Sequence, residues 1–348
     1  MKRNRYELQM FDIDSITATD ADALIPVEES KSIIQGVVEQ SAFLKLGRRL
    51  PNMSRAKTKM PVLDMLPTAY WVGADATNPK KKTTKLAWKN KYIVAAELAV
   101  IIPIPEDVLS DSEYDIWGEA RPRLIGAFHE KIDAAGFFGV DKPTEWRDGI
   151  VPSAVAAGNV TTLSGDLYQA IMGEAGVIAK VEEDGYFVTG HAADISMRAK
   201  LRGLVDGVKQ PLFKSDMQSG TNYTLDGSPI TFPRNGVWNP SEALMISGDF
   251  SQMVYSVRQD ITFKIFDTGV VQDPSTGEIV YNLLQDDMVA LRAVMRLGWE
   301  VPNPINQMRR NEAQRFPFAV LKAGSTSGGG TTGGETTGGE TTGGDPTP

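Results

Sequence analysis

The chain has 348 residues and not one cysteine. That absence excludes disulfide staples, thiolate zinc sites and cysteine nucleophiles. Histidine is nearly absent too, with only His129 and His191. No run approaches the roughly 18 apolar residues that a membrane-spanning helix needs. The N-terminal MKRNRYELQMFDID carries basic residues but lacks the apolar stretch of a signal peptide. An excess of positive charge is also missing: 36 Lys and Arg face 44 Asp and Glu, a net charge of −8. That balance argues against a general nucleic-acid binder, while allowing a surface that sits near DNA without gripping it.

The motifs of common enzymes are missing as well. His129 is adjacent to Glu130 but lacks the second histidine of a zincin helix. His191 follows Gly190 near Asp194, and a triad could be imagined from these and some serine, yet there is no G-x-S-x-G. There is no phosphate-binding glycine loop and no dinucleotide fingerprint. The carboxylates are scattered, with no pair set apart for acid–base work. Both histidines are expected to be structural. A composition of 41% hydrophobic and 23% charged residues is that of a globular protein with a sizeable core.

What is present is pattern. In 110–139, Trp117, Ala120, Leu124, Phe128, Ile132, Ala135 and Phe138 recur at steps of three and four, which predicts one long amphipathic helix. Ser110 and Glu113 stand in capping-box spacing, Gly139 is a natural stop, and Pro122 should kink the helix against the carbonyl of Gly118. At 1.5 Å per residue it would span roughly 40 Å.

Before this helix, residues 1–23 are polar and weakly patterned, an arm expected to order only on a partner. Pro26 then opens a helical stretch with Ile33, Ile34, Val37 and Val38, followed by Leu44, Leu46 and Leu50 around the basic pair Arg48–Arg49. This segment has little means of burying its apolar face alone, so it should lie along another surface. Residues 60–72 read as a strand interrupted by Pro61 and Pro67, and 73–85 as a polar tip. Leu86, Trp88, Tyr92, Val94, Leu98, Val100, Ile102 and Ile104 then hold one parity, a strand period of two. Together these imply a long hairpin projecting from the body, with a tip long enough to reach for a neighbour. Lys80, Lys81, Lys82, Lys85, Lys89 and Lys91 cluster on it. No aromatic residue interleaves the lysines of the tip, so phosphate binding is a weak reading. A solvated tip, or contact with an acidic face of another copy, fits a net-acidic chain better.

After Gly139 a loop leads to a predicted helix at 164–181, a short strand at 186–189, a helix at 191–206 and short strands at 229–233, 243–247, 252–257 and 261–267. Residues 155–260 read as an α+β sub-domain inserted after the long helix. Residues 286–301 read as a long returning strand, with a helix as competitor up to Leu297, and Phe316–Leu321 as a last strand. The segment 324–348 repeats TTGG followed by an acid and has nothing apolar to bury, so disorder is expected.

The order of these elements over roughly 22–322 resembles that of tailed-bacteriophage major capsid proteins of the Hong Kong 97 type. DALIPVEESKSIIQGVVEQSAFLKLGRRLP is similar to that family's N-terminal arm, and AYWVGADA with KLAWKNKYIVAAELAVIIPIPEDVLSDS to its extended loop. DIWGEARPRLIGAFHEKIDAAGFFG is similar to its spine helix, including Ile132–Ala134 and Gly139; SGDFSQMVYSVRQDITFKI to the end of its axial domain; and LQDDMVALRAVMRLGWEVPNP to its returning strand.

The resemblance implies an α+β fold divided as N-terminal arm 1–59, extended hairpin 60–98, peripheral domain 99–154 with the spine helix at 111–139, axial domain 155–260, peripheral return 261–323 and tail 324–348. It implies a structural protein with no catalytic, cofactor or metal site, forming hexamers and pentamers of an icosahedral shell around double-stranded DNA held without sequence specificity. Portal, scaffolding and decoration proteins would be partners, no membrane is involved, and assembly would take place in the host cytoplasm. Because the arm begins close to Met1, scaffolding would come from a separate protein or be dispensable. Lys80, Lys81, Lys82, Lys85, Trp88, Arg48 and Arg49 are the expected inter-subunit contacts. Some members cross-link a hairpin lysine to a neighbour's asparagine; here Lys80–Lys82 or Lys85 with Asn303 or Asn306 would be the groups, with non-covalent locking as the default. The alternatives are an encapsulin-like compartment, which shares the fold but encloses enzymes, and a hydrolase built on His191.

Overall fold

The computed structural model describes residues 40–71, 81, 83–111, 115–204, 224–273 and 275–324. The chain enters through α1 (Ala42–Leu46) and β1 (Arg48–Arg49), then forms a two-stranded hairpin from β2 (Lys57–Met65) and β3 (Ala87–Val94). β4 (Ala96–Pro105), α2 (Glu106–Asp111) and α3 (Ile116–Asp133) follow, the last running into a π-helical turn, Ala134–Phe138, closed by Gly139 at φ 75°. Next come α4 (Ile150–Ala156), β5 (Val160–Thr162), α5 (Leu167–Met172), α6 (Val177–Glu183), β6 (Gly190–Ala193), α7 (Ile195–Arg202), β7 (Thr224–Leu225), β8 (Ser228–Thr231) and β9 (Met245–Gly248). β10 (Val254–Phe266), a small hairpin of β11 (Val270–Gln272) and β12 (Ile279–Asn282), β13 (Met288–Glu300) and β14 (Phe318–Lys322) complete it.

Two sheets organise the body. The first has the order β1-β10-β13-β4, with β13 antiparallel to both neighbours. Alternation along β13 sends Leu291, Ala293, Met295, Leu297 and Trp299 to one face, where Leu124, Phe128 and Ile132 of α3 meet them. Gly298 points to the other face, and there the hairpin crosses: Ile93, Met53 and Val254 form a small cluster beneath it. The second sheet has the order β5-β14-β9-β6-β8-β7 and separates two cores. Ala192, Ile246, Phe318 and Val320 join the core under α3, while Ala193, Met245, Ala319 and Leu321 pack on α5, α6 and α7. Strands buried on both faces read as continuous apolar runs, which is why FAVL shows no alternation.

Several sequence expectations change. The long helix starts at Ile116, capped by the Asp115 carboxylate on Gly118 N, rather than at Ser110, which lies in α2; Pro122 is accommodated within α3. The helix expected at 164–181 is split into α5 and α6, because the amides of Gly173 and Gly176 close separate turns. The strand expected at 186–189 begins only at Gly190, and the following helix is confined to 195–202, with Asp194 as its cap. The two strands expected at 252–257 and 261–267 are one, β10, with its register to β13 shifting around Gln259. The strand expected from Leu86 to Ile104 breaks at Ala95. Parity reverses there, so Ile93 is buried while Trp88 and Tyr92 face outward. The loop after Gly139 contains the unforeseen α4, and β11–β12 were not anticipated either. The last strand, β14, pairs with β5 and β9 of the second sheet. Most of the expected arm and the Gly/Thr-rich tail lie outside the described residues. Of the expected arm, Ala42 and Phe43 are buried against the end of α3.

Candidate inter-subunit surface

The hairpin is built by pairing Lys57 with Val94 through Met65 with Ala87. A two-stranded ribbon is marginal alone. It is therefore pinned to the body: Trp146 Nε1 donates to Val94 O at 3.1 Å at its base, where the bond from Ala95 N to Ala56 O at 2.8 Å closes the ladder, and Ile305 N donates to Leu63 O at 3.2 Å further out along β2. Beyond the base, Met65, Tyr70, Trp71, Leu86, Trp88 and Tyr92 are exposed, Trp71 at 90%. Large aromatic side chains left in water on a projecting element mark an interaction surface. Lys57 Nζ lies 4.2 Å from the centre of the Tyr92 ring.

Of the residues picked out in the sequence, Lys81, Lys85 and Trp88 share this hairpin, all exposed. Lys80 and Lys82 lie outside the described residues. Arg48 and Arg49 are on a different element, the edge strand β1, exposed, with Arg49 Nη2 donating to Asn52 Oδ1 at 3.1 Å. Lys89 and Lys91 are engaged within the chain, 3.0 and 2.5 Å from the Glu312 carboxylate.

A second exposed region was missed in the sequence. Val108, Ile265, Val270, Ile279, Val280 and Leu284 lie at the opposite end of the first sheet, where Met288 pairs with Pro105. Around them stand Glu106, Asp107, Asp111, Asp267, Glu278, Asp286 and Asp287, all exposed. The available signal was GEIVYNLL, an apolar run between turn residues; its exposure could not be read because it lacks a parity to argue from.

The asparagines considered for cross-linking are both occupied. Asn303 accepts from Tyr186 Oη at 2.7 Å and donates to Arg315 O at 2.9 Å. Asn306 donates to Asp184 O at 2.6 Å and accepts from Arg309 N at 2.7 Å. Asn303 is also buried, so a lysine could reach its carboxamide only by opening this loop, whereas Asn306 is half-buried.

His191 is fully buried, as is Ser247, whose Oγ lies 2.8 Å from Nδ1; Nε2 lies 3.2 Å from Leu225 O. A carbonyl only accepts, so Nε2 carries the proton and Nδ1 accepts from the serine hydroxyl. No substrate reaches this pair, and Asp194 is committed to the amide of Ser196. Burial pushes the His191 pKa down to about 4. Its neutral form is favoured in the fold, so the stability it contributes is complete above the unfolded value near 6.5 and is lost as pH falls towards 4. The full shift corresponds to about 3 kcal/mol. Chemical denaturation of unassembled protein at pH 7 and pH 4 should show this loss, and His191→Gln should flatten it.

Among the described residues no group of three or more His, Cys, Asp or Glu could hold a metal ion, and no helix is long and apolar enough to cross a membrane.

Comparison with known proteins gives one answer. The model of the phage capsid family matches residues 21–305. The major capsid protein of Staphylococcus phage 80alpha is 27% identical over 300 residues, spanning 86% of this chain and 88% of that protein. A solved structure from Microbacterium phage Oxtober96 matches with a TM-score of 0.76 and 33% identity, covering 89% of this chain and 99% of its own. One from Mycobacterium phage Cain matches at 0.75 and 30%, covering 90% and 100%.

Proposed function

The chain belongs to the phage capsid family, a family of structural shell proteins rather than enzymes, and from that premise we propose that it closes its shell through a head-to-tail contact between copies. The observation that carries this is the pairing of two unlike surfaces on one chain. The β2–β3 hairpin presents aromatic residues among lysines, and the far end of the first sheet presents aliphatic residues among carboxylates. Complementary patches at different places on a molecule cannot satisfy each other within one copy. They make heterologous contacts, and these close into rings when the rotation allows. Rings of six and five are what an icosahedral shell requires.

In this reading Lys80, Lys81, Lys82, Lys85 and Trp88 meet the acidic end of a neighbouring copy, and Arg48–Arg49 contact a neighbour at the β1 edge. The first sheet with α3 forms the peripheral domain and the second sheet the axial domain around the ring centre. The shell encloses double-stranded DNA, with portal and scaffolding proteins as partners and the host cytoplasm as the place of assembly. A net-acidic chain suits a container that must not bind its contents tightly.

The test is expression alone and with neighbouring genes, followed by light scattering and electron microscopy. Closed megadalton particles containing nucleic acid are expected; a monomer under every condition overturns the proposal, and protein cargo in place of DNA would reassign the shell as a compartment. Lys81→Glu with Lys85→Glu should lower particle yield at least tenfold, and adding Glu278→Lys with Asp286→Lys should recover most of it.

A further inference from the structure

The hairpin is contacted by a part of the chain far away in sequence. Residues 303–315, between β13 and β14, form a loop with an unusually complete internal network. Arg315 is only 3% exposed. Its Nε donates to Pro304 O at 3.1 Å, Nη1 to Arg309 O at 3.2 Å and Arg310 O at 2.8 Å, and Nη2 to Asn303 O at 3.0 Å. A planar guanidinium with its donors fixed on four main-chain carbonyls folds the loop around itself. The loop is also fastened to the second sheet's helical layer: Asn306 donates to Asp184 O just beyond α6, and the Tyr186 hydroxyl to Asn303.

From this anchored loop two contacts reach the hairpin. Ile305 N bonds Leu63 O on β2. Glu312, in a short turn capped by Asn311 Oδ1 on Ala313 N, places one carboxylate oxygen on Lys91 and the other on Lys89. The two lysines are two residues apart, so they stand on one face of β3 and present a matched pair of ammonium groups to a single carboxylate. Burial pushes the Glu312 carboxyl up, but Lys91 and Lys89 together outweigh it and hold it below the usual glutamate range.

We infer that Glu312 is a positioning residue: through Lys89 and Lys91 it clamps the hairpin to the 303–315 loop, so that the hairpin's angle is dictated by the second sheet. The consequence is a mechanical link between the two sheet units and the element read above as the shell contact, and the inference rests on that reading for its relevance to assembly. The lysine cluster is then divided by role. Lys89 and Lys91 aim the hairpin, while Lys81 and Lys85 remain exposed for a neighbour.

The experiment is hydrogen–deuterium exchange on the dissociated full-length protein. In Glu312→Gln, amides of 57–65 and 87–94 should exchange at least several-fold faster, with 288–300 unchanged. Glu312→Lys combined with Lys89→Glu and Lys91→Glu should restore protection, which a merely structural glutamate would not allow. Raising salt to about 1 M should loosen the wild-type hairpin towards the variant and leave the variant itself little changed, because the clamp is ionic and partly exposed. Unchanged hairpin exchange in Glu312→Gln, or failure of the charge swap to restore it, overturns the inference. Particle yield is read separately: a hairpin loosened by Glu312→Gln that still assembles normally supports the clamp and counts instead against the hairpin as the shell contact.

Discussion

Asp133→Ala is expected to lower the unfolding free energy of the dissociated protein by about 3–5 kcal/mol, because it strands several buried donors at once. Asp133 is 1% exposed. Its carboxylate accepts from Ser41 Oγ at 2.5 Å, from Ala42 N and Phe43 N at 3.1 Å each, and from Asn235 Nδ2 at 2.7 Å. The two amides are orphan donors at the start of α1, and Ser41 accepts from Leu44 N while donating to Asp133. A carboxylate at the end of α3 thus caps a helix more than eighty residues earlier and fixes the position of α1. Phe43, held by this cap, sits over Gly136, where a Cβ would lie 2.4 Å from its ring, and meets Phe137 and Trp299 edge-on at 5.4 and 5.0 Å between ring centres. Releasing α1 therefore empties an aromatic site as well as breaking hydrogen bonds.

Acidification tests a different thing. Burial raises the Asp133 pKa, and its hydrogen bonds offset this only in part. A carboxyl whose folded pKa is raised contributes stability that is present below the unfolded value and lost as pH rises through the folded one. Mild acid therefore does not weaken this carboxyl's contribution, although removing the side chain does. Asp133→Asn should fall between wild type and alanine, since the amide keeps one acceptor and turns a donor towards the others. Denaturant titration gives the stability order, and faster limited proteolysis within 40–57 in the alanine variant would locate the damage. Equal stability of all three proteins would show that α1 is held by Phe43 alone.

The same cap shows how far the sequence could be read. The periodic stripe from Trp117 to Phe138 was visible, and so was the alternation of β4, because each packs one face on one core. The start of α3 was not, because Asp115 and Ser110 are both acceptable caps and the choice depends on how α2 packs beside β4. Of the second sheet, β8, β9 and β14 were legible as short strands at 229–233, 243–247 and 316–321, but β5 and β7 were not, and β6 was placed four residues early; these strands are short, and several bury both faces between two cores, so neither length nor parity marks their limits or partners. The lysines of the hairpin were legible as a charge cluster. Their division between Glu312 and solvent was not, since Lys89 and Glu312 meet only through the folding of the 303–315 loop around Arg315. The order of the elements, read from pattern, carried the family resemblance, and tertiary contacts supplied the partners of individual residues.

Gly298→Val should have a comparably large effect, by a steric route that leaves charge untouched. Gly298 pairs with Ser256 in the middle of the first sheet, on the face that the hairpin crosses. A Cβ there would lie 2.4 Å from Val94 O and 2.8 Å from Ile93 Cγ2. Val94 O is a main-chain atom that also receives the Trp146 indole at 3.1 Å, so it cannot turn aside as a flexible side chain would. The glycine is required for closeness rather than for its backbone angles, since it is not among the positive-φ residues. Even Gly298→Ala should cost about 1–3 kcal/mol, the usual penalty for overfilling a packed site, and valine more. The strain falls at the hairpin's base, so the variant should fold with the hairpin lifted from the sheet, Ile93 losing its place beside Val254 and Met53. Hydrogen exchange should then rise in 87–95 while 288–297 stays protected, and particle yield should drop at least tenfold if the hairpin must meet its neighbour at a fixed angle. Normal assembly by a stably folded Gly298→Val would show that the crossing is slack and that the hairpin finds its partner without being aimed.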